Sequence, residues 1–291
     1  MGSSGPRPSA SARGHTARFG LWRALVATPA MLGSLLLVSI AVAALGRWAE
    51  LVLLGWVACG AVMITRVGER IAVRAACRFH SPNPAQAAAL QRPWAAALRM
   101  TGTVGGDVEL YVQTAQMPNA YAAGGRSVAV TSRVVEDYES GRLPEDQLVA
   151  VLVHELGHHA TRAARPMLLV SFLAMPWRLA GSLLTGLASI LAGRRPPRGL
   201  SIVVVAGLAV AGTRTFHQGQ VLVGGALALV GLAAVLCPLA DAAVSRRSEF
   251  VADRFAADHG LALELAAACT PWTAAVVGPA DGRGVASLEV V

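Results

Sequence analysis

Long apolar runs separated by short polar segments occupy much of this chain, and they predict membrane-spanning helices. The first two runs are residues 24–45, which are long enough to cross a bilayer, and residues 48–65, which have about the minimum length. Gly46-Arg47 between them allows a tight turn, so the pattern predicts a transmembrane hairpin over 24–65. A cleaved signal peptide is the alternative for the first run, but a second apolar run follows almost immediately.

Three further apolar runs lie in the second half of the chain, at 167–192, 200–212 and 221–240. A Pro-Trp-Arg sequence at 176–178 interrupts the first, and an arginine near the bilayer centre is costly unless it reaches the interface or a polar partner. The middle run is too short to span comfortably. We predict two crossings within 167–240, with 200–212 interfacial or re-entrant. The core of a soluble helical protein is the alternative, which the length of the runs disfavours.

The region between these apolar parts, residues 66–166, shows strand and helix patterns instead. Residues 107–112 alternate between polar and apolar side chains. Residues 119–123 and 127–130 flank Gly124-Gly125, and this arrangement is typical of a β-hairpin. The pattern therefore predicts a small sheet in this part of the chain.

A helix is predicted to begin near Pro144, because proline suits a first helical turn, acidic residues follow it, and an apolar run comes next. An HExxH motif at 154–158 then falls in the middle of that helix. His154 and His158 lie one turn apart on one face and can reach one metal ion, with Glu155 beside it. The motif predicts a site for one zinc ion with its own general base. A buried helix whose two histidines only form hydrogen bonds is the alternative.

A catalytic zinc site needs a third protein ligand and leaves the fourth position to water. The helical segment 245–258 carries Glu249 and Asp253 one turn apart, so one could bind the metal while the other orients a ligand histidine. On the residue pattern alone, the third ligand stays open among Glu249, Asp253, Asp258 and His259. An amphipathic helix with acids and arginines paired along a solvated face is the alternative for this segment.

Three sequence elements, taken in this order, resemble the HtpX-like family of integral-membrane zinc metallopeptidases, relatives of the CAAX prenyl proteases. They are residues 118–121, the motif at 154–158 and residues 245–253, and the resemblance covers about residues 100–265. The chain departs from the fuller family pattern after Gly260, where only about 30 residues remain. Part of the usual C-terminal subdomain is therefore expected to be reduced or missing.

The resemblance implies a fold and a set of residue roles. The implied fold is predominantly α and integral to the membrane, with helical transmembrane hairpins and a zinc-peptidase domain that holds the HExxH helix and a small β-sheet. An exposed edge strand of such a sheet can bind an extended polypeptide through backbone hydrogen bonds. The implied roles are zinc ligand for His154, His158 and Glu249, catalytic base for Glu155, support of a ligand histidine for Asp253, and substrate binding for Asn119, Ala120 and Tyr121.

Composition and arginine placement predict where such an enzyme resides. Hydrophobic residues make up 54% of the chain, charged residues 14%, and the mean hydropathy is +0.53, which is typical of membrane proteins. Most arginines near the predicted spans lie on the side of the zinc motif, which the positive-inside rule assigns to the cytoplasm. We predict a multi-pass protein of a bacterial cell membrane whose metal site faces the cytoplasm. The arginines that this topology places outside are Arg194, Arg195, Arg198 and Arg214.

Other charged and reactive residues carry weaker signals. Arginines at 66, 70, 74 and 78 repeat every four residues and form one helical stripe, which faces either anionic lipid headgroups or solvent. The net charge of +8 comes without a nucleic-acid recognition motif, so no nucleic-acid partner is expected. The four cysteines lack CxxC spacing, which argues against a disulfide framework or a cysteine metal site. His159 points about 140° away from His154 and is predicted to lie on the helix surface unless it binds substrate.

The predicted function is hydrolysis of peptide bonds of membrane or misfolded proteins by a membrane-bound zinc endopeptidase at the cytoplasmic face. Processing of CAAX proteins is less favoured, because the chain is too short to enclose a large intramembrane chamber. A non-proteolytic zinc-binding sensor or scaffold is one alternative, and a channel or transporter with a chance motif is another. The predicted parts are a disordered basic arm (1–23), a transmembrane hairpin (24–65), a cytoplasmic peptidase part (66–166), a membrane-embedded region (167–240), a helix with the third zinc ligand (241–270) and a flexible tail (271–291).

Overall fold

The computed structural model describes residues 25–35, 37–39, 42, 46–161, 167–191 and 200–277. The predicted basic arm and the part of the predicted tail beyond residue 277 lie outside these described residues. Contacts divide the chain into two compact units. The first unit consists of the described parts of Ala61–Leu168 and Arg246–Val291, and the second of those of Trp22–Gly60 and Leu169–Ser245.

The described chain is mostly helical and contains a small mixed sheet, in agreement with the predicted balance of helix and strand. The strands are β1 (Phe79–His80), β2 (Glu109–Gln113), β3 (Ala120–Ala123) and β4 (Ser127–Thr131). The helices are α1 (residues 25–35), α2 (Ala49–Val62), α3 (Arg66–Ala75), α4 (Pro84–Thr101), α5 (Ser132–Glu139), α6 (Glu145–Ala160), α7 (Met167–Leu191), α8 (Leu200–His217), α9 (Val221–Asp258) and α10 (Ala262–Val277).

The sheet belongs to the first unit, and its strand order is β1-β2-β4-β3. β2 and β4 are parallel, with Tyr111 opposite Ala129, and the other two pairs are antiparallel. β3 and β4 form the predicted hairpin, with Ala122 opposite Val128, so that prediction is confirmed. Gly124 in the turn has a φ of +61°, a conformation that glycine adopts without steric cost. β3 lies at one edge of the sheet.

The main hydrophobic core lies on one face of the sheet. Val112, Val128 and Val130 are fully buried there, because alternate strand residues point to the same face. Helices α4, α5, α6 and α10 contribute most of the rest of this core, and Ala256 of α9 also belongs to it. Its helical members include Leu90 and Ala97 of α4, Leu148, Leu152 and Leu156 of α6, and Leu265 and Ala268 of α10.

Helix α3 covers the opposite face of the sheet. Tyr111 and Ala129 point to this face and pack with Phe79 and with Val73 of α3 in a second, smaller core. The sheet of the first unit is therefore sandwiched between α3 and the helices of the main core.

Three members of the predicted arginine stripe lie along α3, whereas Arg78 lies beyond the end of the helix with a φ of +54°, so its prediction as a fourth member is wrong. The first two members contact acidic residues of the same unit. Arg70 forms an ion pair and hydrogen bonds with Glu109 of β2, and Arg66 lies 3.8 Å from Asp107. The Nη2 atom of Arg74 donates to the Ser81 hydroxyl over 3.3 Å. The stripe thus ties α3 to the sheet and its neighbouring loops.

Local signals account for the helix boundaries beside the site. Asn83 and Gln86 form a reciprocal capping box at the start of α4, and Gly102 ends that helix in the left-handed conformation. α6 begins at Glu145, directly after Pro144 and with acidic residues in its first turn. The predicted start of the motif helix is therefore confirmed, since these groups stabilise the positive end of the helix dipole.

The second unit contains helices α1, α7 and α8 and parts of α2 and α9. The Ser34 hydroxyl accepts the backbone N–H of Trp177 over 3.0 Å, which joins α1 to α7. The rings of Trp56 and Phe172 stack with centroids 6.1 Å apart and join α2 to α7. These contacts hold the apolar helices of this unit together.

Within the described residues, no single helix is both long enough and apolar enough to cross a membrane. One pair, Glu50–Val62 with Arg66–Ala75, meets the requirements of length and composition only when its two sharply bent helices are taken together.

Several predicted boundaries differ from the observed helices. α7 continues through Pro176, which was expected to interrupt it, and α8 runs to His217 rather than ending near residue 212. α9 crosses the predicted boundary at 240–241 without a break. α10 continues through Pro271 to Val277, which are the first seven residues of the predicted flexible tail. Leu265 and Ala268, earlier in this helix, pack in the main core.

Candidate metal centre

Helix α6 holds the HExxH motif rigidly, because most of its length is buried in the main core. Leu148 and Leu152 are completely buried and Leu156 is almost so, which fixes the rotation of the helix about its axis. His154 and His158, on another face of α6, are only partly buried. Their imidazole rings lie 5.0 Å apart in an edge-to-face arrangement. The helix therefore presents two adjacent imidazoles at the border of the core.

The third member of the cluster is Glu249 of α9. Its Oε2 atom lies 3.4 Å from Nε2 of His154 and 3.6 Å from Nε2 of His158. One ligand atom from each of these three residues falls within 4.8 Å of the other two. Among the described residues, this is the group of histidine, cysteine and acidic side chains that could hold a metal ion.

The donor set and its spacing fit zinc. Two imidazoles and one carboxylate are a recurrent ligand set of catalytic zinc sites, in which the fourth position is left to water. A tetrahedral zinc ion with bonds of about 2.0–2.2 Å sets its ligand atoms roughly 3.3–3.6 Å apart. Both distances from Glu249 to the histidines, 3.4 and 3.6 Å, fall in this range.

Asp253 lies one turn after Glu249 on α9 and faces the other nitrogen of the same histidine. Its Oδ1 atom is 3.0 Å from Nδ1 of His154, although the two groups are not aligned as a hydrogen bond. An acidic group in this place orients an imidazole and makes it a more basic ligand. The two acids of α9 thus approach opposite sides of one ring.

Glu155 is the buried carboxylate of the site, with only 7% of its surface exposed. Burial raises its pKa, and the positive charges of His158 and His154 partly offset that effect. The nearby backbone N–H of Ala122 in β3 acts in the same direction as the histidines and lowers the pKa of the carboxylate. Glu155 therefore lies between the histidines and the edge strand of the sheet.

The other ionisable groups of the cluster influence one another strongly. The close imidazoles of His154 and His158 hold the pKa of Glu249 well below its usual range. Burial acts to lower the pKa of His154, but the close Glu249 carboxylate and the nearby charges of Glu155 and Asp253 outweigh it and raise that pKa. The cluster consequently favours a negatively charged Glu249 carboxylate next to imidazoles that are either positively charged or bound to a metal ion.

A close contact between α6 and α9 brings Glu249 to the histidines. A β carbon at Gly157 would lie only 3.0 Å from the Phe255 ring, so the glycine leaves room for that side chain. The Phe255 ring also packs on His259, with centroids 4.5 Å apart. Sequence analysis did not recognise the Gly157–Phe255 contact, because the space required at a glycine appears only when two helices meet.

The predicted substrate-binding residues lie in and beside β3. The Asn119 side chain accepts the Ala120 N–H over 2.9 Å, and the Asn119 N–H donates to the Thr131 hydroxyl over 3.0 Å. Ala120 is buried in the main core. The Tyr121 ring packs against Phe79 on the opposite face of the sheet, with centroids 6.2 Å apart. We therefore expect residues 119–121 to contact a substrate mainly through their backbone or through the Asn119 amide.

Two other residues considered from sequence have different surroundings from those expected. His159 is half-buried, and its Nε2 atom lies 3.1 Å from the carbonyl oxygen of Ser127, so its prediction as a helix-surface residue is wrong. The turn of the sheet reaches this end of α6, which a helical projection cannot show. The Nδ1 atom of His259 lies 2.7 Å from the carbonyl oxygen of Phe255. His259 and Asp258, two of the open candidates for third ligand, do not belong to the cluster of possible ligands found among the described residues.

Comparison with known families gives one match. The model of peptidase family M48 matches residues 84–270, which are more than half of the chain and include every member of the cluster. No curated protein and no solved structure matches the chain.

Proposed function

Because the chain belongs to peptidase family M48, we propose that it is a membrane-bound, zinc-dependent endopeptidase. In this proposal it hydrolyses peptide bonds of membrane or misfolded proteins at the cytoplasmic face, as an HtpX-like enzyme. His154, His158 and Glu249 bind one zinc ion per chain, Glu155 is the catalytic base, and Asp253 supports His154.

The observation that carries the proposal is the approach of one carboxylate to two imidazoles on a different helix. Residues 249 and 154 are far apart in sequence, yet Glu249 lies at zinc-ligand spacing from both histidines. A solvated amphipathic helix, the alternative for this segment, does not require such a convergence. The buried position of Glu155 beside the same histidines adds the acid–base group that peptide hydrolysis needs.

Zinc held by His154, His158 and Glu249 would lower the pKa of a bound water molecule and polarise the scissile carbonyl. Glu155 would serve as the base that accepts a proton from the attacking water and as the acid that delivers it to the leaving amine. Burial supports this role, because a carboxylate with a raised pKa is a more effective proton acceptor and donor near neutral pH. Asp253 keeps the His154 ring in the orientation that directs Nε2 toward the metal.

The edge strand β3 supplies a surface for the substrate. An extended polypeptide can add to such an edge through backbone hydrogen bonds, which places few demands on its side chains. The backbone N–H of Ala122 in this strand lies close enough to the proposed catalytic base to lower its pKa. A segment paired along β3 would therefore have its scissile bond next to Glu155, and we propose that Asn119, Ala120 and Tyr121 take part in this alignment.

Membrane location is proposed from the apolar runs and from the arginine distribution. The composition is that of a membrane protein, and arginines concentrate on the side of the zinc motif. Lipid bilayer and polypeptide substrates are the expected partners. His154 and His158 precede residues 167–240, and Glu249 follows them. Because ligands of one zinc ion must lie on the same side of the membrane, the chain must cross it an even number of times between them, and two crossings meet this requirement.

Metal removal and return test the proposal directly. Detergent-purified protein is expected to contain one zinc ion per chain and to cleave casein-type substrates or itself. A chelator should abolish cleavage, and added zinc should restore it. Protein that holds zinc but cleaves no unfolded or membrane substrate would instead favour a sensor or scaffold, and protein without bound metal would refute the zinc site.

A further inference from the structure

A buried acidic residue outside the metal centre holds the β3–β4 hairpin. Glu69 of α3 is only 5% exposed, and its Oε1 atom accepts the Arg126 N–H over 2.7 Å and the Ser127 hydroxyl over 3.0 Å. The Arg126 guanidinium lies 3.8 Å from its other oxygen. All three contacts are to residues at the turn of the hairpin or at the first position of β4.

The turn itself leaves room for this carboxylate. Gly124 has a φ of +61°, and a β carbon there would lie 2.7 Å from the carboxyl carbon of Glu69. A larger residue would have to displace either the acid or the turn. The close packing of Gly124 and the hydrogen bonds from Arg126 and Ser127 therefore hold the turn against the same side chain of α3, that of Glu69.

The end of the motif helix holds the same strand from its other side. The Ser127 hydroxyl donates to Glu69, while the Ser127 carbonyl oxygen lies 3.1 Å from Nε2 of His159. Ser127 is only 2% exposed, so water does not compete for these bonds. β4 thus begins between α3 and the end of α6. β3 pairs with β4 and contacts α6, the helix that carries His154, Glu155 and His158.

We propose that Glu69 is a positioning residue, which holds the β3–β4 hairpin so that the β3 edge presents substrate to the metal centre. The inference rests on the proposed function, since it assigns a purpose to the edge strand of a peptidase. Burying a carboxylate is costly, and an apolar side chain of similar volume would stabilise the fold at least as well. A directional hydrogen bond to the turn, in contrast, fixes the position of β3, whose outer edge pairs with no further strand among the described residues.

Paired substitutions of Glu69 test this role. Glu69→Ala removes the oxygen that accepts both hydrogen bonds at the turn, and we expect about a tenfold increase in KM for extended peptides, with kcat changed by less than about threefold. Glu69→Gln keeps an oxygen that accepts the same hydrogen bonds, so it should restore most of the wild-type KM. Zinc content should equal that of the wild type in both variants, because Glu69 contacts no proposed ligand.

Glu109→Ala is the matched control. The Glu109 side chain also joins the sheet to α3, because it pairs with Arg70, and it accepts the Tyr111 hydroxyl over 2.6 Å. Glu109 meets the hairpin only through its backbone N–H, which donates to the Arg126 carbonyl oxygen and which the alanine variant keeps. If Glu69 acts only as a tie between α3 and the sheet, both alanine variants will melt at lower temperature and will share the same kinetic change. If it positions the hairpin, only Glu69→Ala will raise KM.

A further variant keeps the inference testable if Glu69→Ala does not fold. Ser127→Ala removes one bond to Glu69 and leaves the backbone carbonyl that faces His159, so a smaller rise in KM is expected. An unchanged KM in folded Glu69→Ala, or in Ser127→Ala when the first variant fails, would overturn the inference while wild-type hydrolysis still supports the peptidase. Wild-type protein that hydrolyses no peptide would overturn the proposed function itself.

Discussion

Three acidic side chains surround the two histidines of the metal centre, and their surroundings differ more than their chemistry. Glu155 is buried and lies near the N–H of Ala122 in β3, whereas the side chains of Glu249 and Asp253 are each 55% exposed. Glu249 faces Nε2 of His154, and Asp253 faces Nδ1 of the same ring. A base, a ligand and a supporting group can therefore be proposed from position alone.

The role of Glu155 is tested by Glu155→Gln. The amide has nearly the same shape but cannot accept a proton from water, so we expect normal zinc content and a loss of hydrolysis of about 10²- to 10⁴-fold. Zinc is measured by elemental analysis and hydrolysis with casein-type substrates. Glu145→Gln, the same change at the start of α6, should leave both unaltered. Near-normal turnover in Glu155→Gln would refute its assignment as the base.

The roles of Glu249 and Asp253 in α9 can be distinguished by the effect of each substitution on zinc binding. Glu249→Ala removes a ligand from a three-residue site, so the variant should purify without stoichiometric zinc. Asp253→Ala should bind zinc about 10- to 100-fold more weakly and keep some activity, because it loses only the support of His154. Zinc titration of both metal-free proteins measures the difference. The reverse order of zinc loss would make Asp253 the ligand.

At the scale of elements, the site depends on how closely α6 and α9 approach. α6 is held by the main core, and α9 brings its acids to the histidines only because Gly157 accommodates Phe255. Adding atoms to such a contact forces side chains or backbone to shift, at a typical cost of about 1–3 kcal/mol. The metal centre should therefore respond to a change that touches none of its ligands.

Gly157→Val tests this dependence. We expect it to lower the melting temperature and to weaken zinc binding, because α9 must move away from α6. Phe255→Ala in the same chain should recover part of the zinc affinity by making space, and the double-mutant cycle measures the coupling between the two positions. Gly55→Val in α2, where a β carbon would meet nothing within 4 Å, controls for placing valine in a helix. Equal losses of zinc affinity in Gly157→Val and Gly55→Val would contradict the role of the contact.

At the scale of the whole molecule, the proposed topology places both termini and the metal centre in the cytoplasm. In a chain whose native cysteines are replaced by serine, new cysteines at Ala10 and Glu139 should react only with a membrane-permeant reagent in intact cells. A cysteine at Arg195, which two crossings within 167–240 place outside, should react with an impermeant reagent. Impermeant labelling at Ala10 or Glu139 would reverse the topology.

Periodicity and local chemistry in the sequence were sufficient for features that depend on neighbouring residues. The helical repeat puts His154 and His158 on one face, and Pro144 with its acidic neighbours marks the start of that helix. Gly124-Gly125 between two alternating segments predicts the hairpin. These features follow from backbone geometry within a few residues, so they can be recognised without knowledge of the fold. Pro271 shows the limit of local signals, because α10 continues through it.

Only the tertiary structure decided which distant residues meet. Four acidic or histidine candidates for third ligand were open in the sequence, and the packing of α9 against α6 brings Glu249, with Asp253 behind His154, to the site. The bond of His159 to Ser127 and the burial of Glu69 beneath the hairpin likewise join separate segments. The physical reason is that helical and strand periods specify which face a residue occupies, whereas the partner of that face depends on how elements pack, and packing is set by the shape of the whole core.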